Sequence, residues 1–155
     1  MKIISLSRGL FTAALFSASV AMAQAAAQTA SDPVLAAAAK EDGAVVTPTG
    51  LVYRSLKDGT GASPAANDKV KVHYRGTFPD GKEFDSSYKR NEAIEFPLSG
   101  VIKCWTEGVQ RMKVGGKAKL TCPASIAYGE RGAGNVIPPK ATLLFEVELL
   151  GINGK

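Results

Sequence analysis

The chain has 155 residues, of which 45% are hydrophobic and 21% charged, the balance of an ordinary globular domain with some additional sequence. A formal charge of +5 arises from 19 basic and 14 acidic side chains, but no basic stripe is interleaved with aromatic residues, so we expect no nucleic-acid partner. A single His and two Cys, without a CxxC pair or a Cys/His cluster, argue against a metal site, and we expect no cofactor.

The first 23 residues have the pattern of a secretory signal peptide. Lys2 and Arg8 form a basic start, residues 9–20 are apolar and uncharged, and residues 21–23 (AMA) form a small-x-small cleavage site. A membrane anchor is the alternative, but the apolar run is shorter than the roughly 18 residues that span a bilayer, so stable membrane insertion is not expected. We therefore expect cleavage near Gln24 and a periplasmic protein, with secretion beyond the periplasm left open.

Residues 24–44 are predicted to form a flexible N-terminal segment in front of a folded domain that spans residues 45–155. The first part of this segment is rich in small residues and of low complexity, as is common at disordered termini. Asp32 and Pro33 are suited to cap and start a short helix through residues 34–40, which Gly43 would end, although the helix has a poor apolar face.

Beyond this segment, the sequence is typical of strands separated by turns. In the clearest strand, Val70, Val72 and Tyr74 alternate with polar residues, which predicts one buried face. Further strands with the same period are predicted over residues 51–56, 117–122 and 141–150. In the last of these, Phe145 lies on the apolar face.

One short helix interrupts the strands. Trp105, Val109 and Met112 lie at positions i, i+4 and i+7, which gives a single apolar stripe, and Gly115 and Gly116 follow as a stop. A mainly antiparallel sheet with one helix packed across it predicts an α+β domain.

No segment carries the residues of hydrolytic or group-transfer chemistry. A nucleophile elbow, a phosphate loop and an HExxH motif are all missing from the sequence, and His73 lies on the polar face of its strand. Aromatic residues instead recur in separate elements, at Tyr74, Phe84, Phe96, Trp105, Tyr128 and Phe145. A plain aromatic core is one interpretation of this set.

Four motifs in a fixed order favour a binding pocket over a plain core. They are GKEFDSS at residues 81–87, VIKCWTEG at 101–108, AYG at 127–129 and IPPKATLLF at 137–145. Together they closely resemble the FKBP family of macrolide-binding peptidyl-prolyl cis-trans isomerases, over about residues 48–151. The resemblance implies a five- to six-stranded antiparallel sheet wrapped around one short helix, with the pocket between them.

The resemblance also implies roles for individual residues. Those implied to be catalytic are Asp85, Tyr128, Phe84, Trp105 and Phe145, with Trp105 as the pocket floor and Asp85 at the rim. Those implied to bind substrate are Tyr74, Phe96, Val101, Ile102, Ile137 and Ile94. Ile102 would offer its backbone N–H, and Tyr128 its hydroxyl, to the bound segment.

Three positions depart from the family pattern. Ile94 stands where an aromatic residue is common, Ala133 where a His is common, and Cys104 where a Gly is common. Because the resemblance implies that the first two flank the pocket mouth, macrolide affinity and substrate preference stay open, whereas the floor and Tyr128 are intact.

The resemblance implies Pro-containing unfolded or partly folded polypeptides as partners, macrolide inhibitors as ligands, and a monomer. Two alternatives remain open, namely a non-catalytic module that binds Pro-containing segments and a folding chaperone. Related chaperones carry a large insertion before the position of Tyr128 or a long dimerising helical arm. Neither is expected here, because residues 103–128 are compact and residues 24–44 are few.

The two cysteines are predicted to form a disulfide. Export takes the chain to an oxidising compartment, and a count of two leaves no odd thiol. Cys122 lies on the buried face of its strand, and Cys104 begins the helix that should cross the sheet. Two buried, inert thiols are the alternative, because a bridge requires Cα atoms within about 7 Å of each other.

Overall fold

A computed structural model describes residues 32–153, which form one antiparallel sheet and two α-helices. In chain order the elements are α1 (Pro33–Ala39), β1 (Ala44–Val46), β2 (Val52–Lys57), β3 (Lys69–Thr77), β4 (Glu83–Ser86), β5 (Ile94–Pro97), α2 (Lys103–Gln110), β6 (Lys117–Cys122) and β7 (Leu143–Ile152). Single 3-10 turns lie at Leu98–Gly100 and Ala124–Ile126. The predicted α+β class is confirmed.

The sheet has the strand order β1-β2-β6-β7-β3-β4, and β5 also pairs with β3. Its seven strands exceed the five to six expected, for two local reasons. The short strand β1 adds to the edge at β2, and the free side of β3 is shared by two short partners. Residues 69–72 of β3 pair with β5, whereas residues 75–77 pair with β4. This divided edge brings β4 and β5 to the same side of β3.

Strand alternation places the core as predicted. Val70, Val72 and Tyr74 of β3 are buried and alternate with exposed or partly exposed residues, and Leu143, Phe145, Val147 and Leu149 of β7 alternate in the same way. These two long strands pair along most of their length, from Val70 opposite Ile152 to Thr77 opposite Leu144. Their buried faces support helix α2.

Helix α2 lies close against strand β6. Its buried residues are Cys104, Trp105, Gly108 and Val109. A Cβ atom added to Gly108 would lie 2.7 Å from a methyl carbon of Leu120, so only glycine allows this approach without a shift. After the helix, Gly115 turns the chain with a φ of +91°, a conformation that favours glycine, and donates its N–H to the carbonyl of Leu149.

Helix α1 packs on the outer part of the sheet. Asp32 caps it by accepting a hydrogen bond from the N–H of Val34 at 2.8 Å, and Leu35 and Ala38 are buried together with Val52 of β2. The helix begins at Pro33, as predicted, ends one residue before the predicted end and has a genuine, if small, apolar face. Burial of a leucine side chain contributes about 1.5–3 kcal/mol, which accounts for the docking of so short a helix.

The predicted N-terminal boundaries lie only partly within the described residues. The signal peptide and residues 24–31 lie outside the described residues, and the domain start at residue 45 stays a prediction, although β1 begins at Ala44. Within residues 32–153, neither helix is long and apolar enough to cross a membrane.

A disulfide joins the first turn of α2 to the last residue of β6. The Cα atoms of Cys104 and Cys122 are 5.9 Å apart, within the usual range for a bridge, and both residues are fully buried. The bond therefore ties the helix that carries Trp105 to the sheet.

We expect reduction of this bond to lower the free energy of unfolding by about 3 kcal/mol, because the disulfide closes a loop across 18 positions of the chain. Urea unfolding with and without a reductant measures the difference, and the Cys104→Ala/Cys122→Ala double variant, which should not respond to the reductant, is the control. Alkylation of both thiols in the native, unreduced protein would contradict the bridge.

Candidate functional site

A cavity of about 570 Å³ opens between the start of α2 and the sheet. Ten of the eleven site residues that the sequence predicts line it: Tyr74 on β3, Phe84 and Asp85 on β4, Ile94 and Phe96 on β5, Val101 and Ile102 before α2, Trp105 on α2, Tyr128 after β6 and Phe145 on β7. We call this cavity the aromatic pocket. It depends on four strands and one helix, so it exists only in the folded sheet.

Trp105 forms the base of the aromatic pocket and is only 5% exposed. Its ring meets those of Tyr74 and Phe145 edge to face, with centroid distances of 5.1 and 5.3 Å, and it meets the tilted ring of Phe96 at 5.4 Å. The buried indole N–H has no hydrogen-bond acceptor within residues 32–153. Aromatic packing therefore holds the ring in place.

A glycine in strand β3 allows the two phenylalanines of the wall to meet. Phe84 and Phe145 pack edge to face at 5.7 Å, and a Cβ atom at Gly76 would lie 2.5 Å from the Phe84 ring and 3.0 Å from the Phe145 ring. The sequence analysis did not identify Gly76. A glycine inside a strand pattern indicates a close approach, and that feature could have found it.

Asp85 accepts hydrogen bonds from two neighbours at the pocket wall. The hydroxyl of Tyr74 donates to one carboxylate oxygen, and Arg90 donates to the other at 2.5 Å while its second amino group donates to the Tyr74 hydroxyl at 3.2 Å. Burial raises the pKa of Asp85, but these hydrogen bonds and the Arg90 charge outweigh it, so the pKa lies below its ordinary value. Burial, and then the bond to Asp85, raise the pKa of Tyr74. At neutral pH the site thus holds an ionised carboxylate and a protonated phenol.

Besides the buried indole N–H of Trp105, two hydrogen-bond donors at the aromatic pocket have no partner within the described part of the chain. One is the backbone N–H of Ile102, the residue that precedes α2, and the other is the hydroxyl of Tyr128, whose side chain is 39% exposed. Both residues line the cavity. An acceptor on a bound ligand can satisfy these donors at no cost to the protein's own hydrogen bonds.

The predicted and the observed pocket residues differ at a few positions. Ile137 does not line the cavity: it is buried in the core, and its backbone pairs with Ala133, which shapes the loop after Tyr128. Glu95 and Gly100 line the cavity but were not predicted. Strand alternation would place Glu95 on the face of β5 opposite to that of Ile94 and Phe96, so the sequence pattern gives no reason to predict it as a pocket residue. In residues 32–153, no group of three or more His, Cys, Asp or Glu side chains could hold a metal ion.

Comparison with known proteins gives one consistent family. The model of FKBP-type peptidyl-prolyl cis-trans isomerases matches residues 61–150. The chain is 57% identical over 118 residues to the FKBP-type peptidyl-prolyl cis-trans isomerase FkpA of Aeromonas hydrophila, an alignment that covers 76% of this chain and 44% of that protein. It is 54% identical over 114 residues to the FKBP-type 22 kDa peptidyl-prolyl cis-trans isomerase of Escherichia coli, covering 74% and 55% of the two chains.

Among solved structures, the crystal structure of FkpA from Escherichia coli superposes with a TM-score of 0.75 at 44% identity, covering 90% of this chain and 64% of that one. The chain therefore spans about half the length of the curated relatives that it matches.

The pKa of Asp85 should rise in an Arg90→Gln variant, because the substitution removes a hydrogen bond and a positive charge from the carboxylate. A carboxyl group whose pKa is lower in the folded than in the unfolded state stabilises the fold at pH values above the ordinary pKa of aspartate. That contribution is lost as the pH falls through the pKa of the folded state. At neutral pH the variant should therefore lose part of this contribution to the free energy of unfolding. Carboxyl carbon NMR titration measures the pKa directly.

Lys89→Gln is the matched control, because Lys89 is a neighbouring exposed cation that pairs with Glu83 instead. The same Asp85 titration in the wild type and in Arg90→Gln would contradict the assigned network.

Proposed function

Because the chain belongs to the family of FKBP-type peptidyl-prolyl cis-trans isomerases, we propose that it accelerates rotation about X-Pro peptide bonds and does so in the aromatic pocket. One observation carries the proposal: an apolar, aromatic cavity presents two unpaired hydrogen-bond donors, on Ile102 and Tyr128, where a polypeptide segment can dock. The site offers shape and environment, and it needs no nucleophile and no proton transfer.

The chemistry of the amide explains why such a pocket can act as a catalyst. Rotation about an X-Pro bond breaks amide resonance and must cross a barrier of about 18–20 kcal/mol. The planar amide is strongly dipolar and well hydrated, whereas the twisted amide is less dipolar. An apolar pocket therefore disfavours the planar form relative to the twisted one, and each tenfold acceleration requires only about 1.4 kcal/mol.

The two donors would orient the bound segment. The N–H of Ile102 would donate to a carbonyl of the segment while the proline ring rests above Trp105, and the Tyr128 hydroxyl would donate to the same segment. Each oxygen of Asp85 already accepts one hydrogen bond but retains a further lone pair, so the carboxylate can still accept one from the ligand. Arg90 balances its charge at the pocket wall.

The proposed partners are Pro-containing unfolded or partly folded polypeptides, with macrolides as pocket ligands. Ile94 lines the mouth where family members often have an aromatic ring, so that side of the pocket has a smaller, non-aromatic wall residue. We also propose that the chain acts as a monomer, since the residues of a single chain are enough to form the aromatic pocket. A non-catalytic module for Pro-containing segments and a folding chaperone are the competing functions.

We expect Tyr128→Phe to lower the catalytic efficiency on a Pro-containing peptide about fivefold, because the loss of one hydrogen bond costs about 1 kcal/mol. Tyr88→Phe is a matched control, since Tyr88 is 38% exposed and its hydroxyl binds Glu148 outside the pocket. Exchange NMR on the peptide and refolding of a proline-limited protein measure the rates.

A second variant tests the pocket itself. Phe84→Ala/Phe145→Ala removes two wall residues, and full activity in a folded double variant would show that the pocket is wrongly assigned. Binding of the peptide by the wild type without any acceleration would instead favour the non-catalytic module.

We further propose that the chain is exported to the periplasm after cleavage near Ala23. The basic start, the uncharged apolar run and the small-x-small site support this proposal. N-terminal sequencing of the protein from a periplasmic extract should begin near Gln24. A cytoplasmic protein that retains Met1 would exclude it.

A further inference from the structure

A second cavity, of about 320 Å³, lies at the opposite end of helix α2 from the aromatic pocket. Trp105 marks the pocket end of the helix, and Arg111 directly follows the last helical residue, about 9 Å further along the axis. The second cavity is bordered by the end of β2, the turn after α2 and the start of β6, and it shares no lining residue with the aromatic pocket.

Positive charge dominates this second cavity, which we call the basic cleft. Its lining includes the four cations Lys57, Arg111, Lys113 and Lys117, and one carboxylate, that of Asp58. In the described part of the chain, Lys57, Arg111 and Lys113 form no ion pair, whereas Lys117 pairs with Glu146 at 3.8 Å and lies over the ring of Tyr88. Cations gathered around one cavity repel one another, and an anion in the cleft would relieve that repulsion.

Stabilisation of the helix end explains only part of this cluster. Cations near a helix C-terminus interact favourably with the helix dipole, which accounts for Arg111 and Lys113. Lys57 and Lys117 come instead from strands β2 and β6, where they face each other in the β2–β6 register. Lys57 thus adds a cation from β2 to those that follow α2, whereas the ammonium group of Lys117 lies near Glu146 and the Tyr88 ring, which are outside the cleft.

The basic cleft also contains an unused hydrogen-bond donor. The hydroxyl of Tyr53, which is half-buried, has no hydrogen-bond partner within residues 32–153. Burial and the nearby Asp58 raise its pKa, although Arg111 opposes them, so the phenol stays protonated at neutral pH. The hydroxyl of Ser55 is already used, because it donates to Asp58 at 2.7 Å.

We propose that the basic cleft binds a phosphate-bearing anion. A guanidinium group matches two phosphate oxygens at once, and ammonium groups act as point charges around them. A cavity of this size has the volume of roughly ten water molecules, enough for one or two phosphate groups. A single carboxylate brings one negative charge and would leave most of the cations unneutralised, so phosphate is favoured over an acidic side chain. The inference is independent of the isomerase proposal.

Pyrophosphate is the probe that tests the cleft in solution. We expect saturable binding to the full chain in calorimetry at constant ionic strength, and a rise in the melting temperature with pyrophosphate concentration, because a ligand of the folded state stabilises it. In an Arg111→Gln/Lys113→Gln double variant the affinity should fall at least tenfold.

Lys71→Gln/Lys82→Gln is the matched control, because it removes the same charge from two exposed lysines outside the cleft that form no ion pair within the described residues. It should bind pyrophosphate as the wild type does. An equal loss in both double variants would overturn the proposal, since it would show a non-specific response to net charge.

Lipid vesicles distinguish the source of the phosphate. Binding to phosphatidylglycerol vesicles but not to phosphatidylcholine vesicles, lost in the cleft variant only, would assign the site to an anionic headgroup. Binding of free pyrophosphate alone would assign it to a soluble phosphate compound. Failure to bind either probe, or tighter binding of polyglutamate than of pyrophosphate, would overturn the proposal.

Discussion

The close approach of helix α2 to the sheet is the contact on which the rest of the domain depends. Gly108 lets the helix backbone lie against Leu120, and the disulfide of Cys104 and Cys122 joins the two elements covalently at the pocket end. Trp105 lies in the same helical turn as Cys104, and its ring packs against those of Tyr74 and Phe145. A methyl group added at Gly108 would push the helix away from the sheet and move the pocket base away from its walls, since protein interiors are close-packed.

The aromatic pocket combines rigid apolar walls with a few fixed polar groups. The edge-to-face rings leave little freedom to the base, while Asp85, Tyr74 and Arg90 hold one another in a closed set of hydrogen bonds. The unpaired donors on Ile102 and Tyr128 are the groups left available to a ligand. Such a division suits a reaction whose barrier depends on the dipole and orientation of one amide.

The two ends of α2 differ in chemistry because different parts of the chain meet there. At its start, the helix meets β3, β4, β5 and β7, which supply aromatic rings and a carboxylate paired with Arg90. At its end it meets β2 and β6, which supply lysines. The domain therefore presents an apolar cavity and a cationic cavity that share one helix but no side chain.

The sequence by itself predicted both helices, four of the seven strands in the described residues and the aromatic members of the pocket. Alternation along β3 and β7 is a local property, so it predicts buried faces without reference to the rest of the chain, and four ordered motifs identify the family. The docking of α1 was less evident from the sequence, because its apolar face consists only of Leu35 and Ala38, and their partner Val52 lies on a separate element.

Only the tertiary structure decided which groups meet between elements. Arg90 is five residues from Asp85 and sixteen from Tyr74, yet it bonds to both because the chain folds back at the edge of β3. Glu95 at the pocket mouth and the cations of the basic cleft likewise depend on how strands pair and where a helix ends. A linear pattern records the spacing of residues along one element, whereas these contacts arise from distances between elements, which exist only after the sheet has closed around α2.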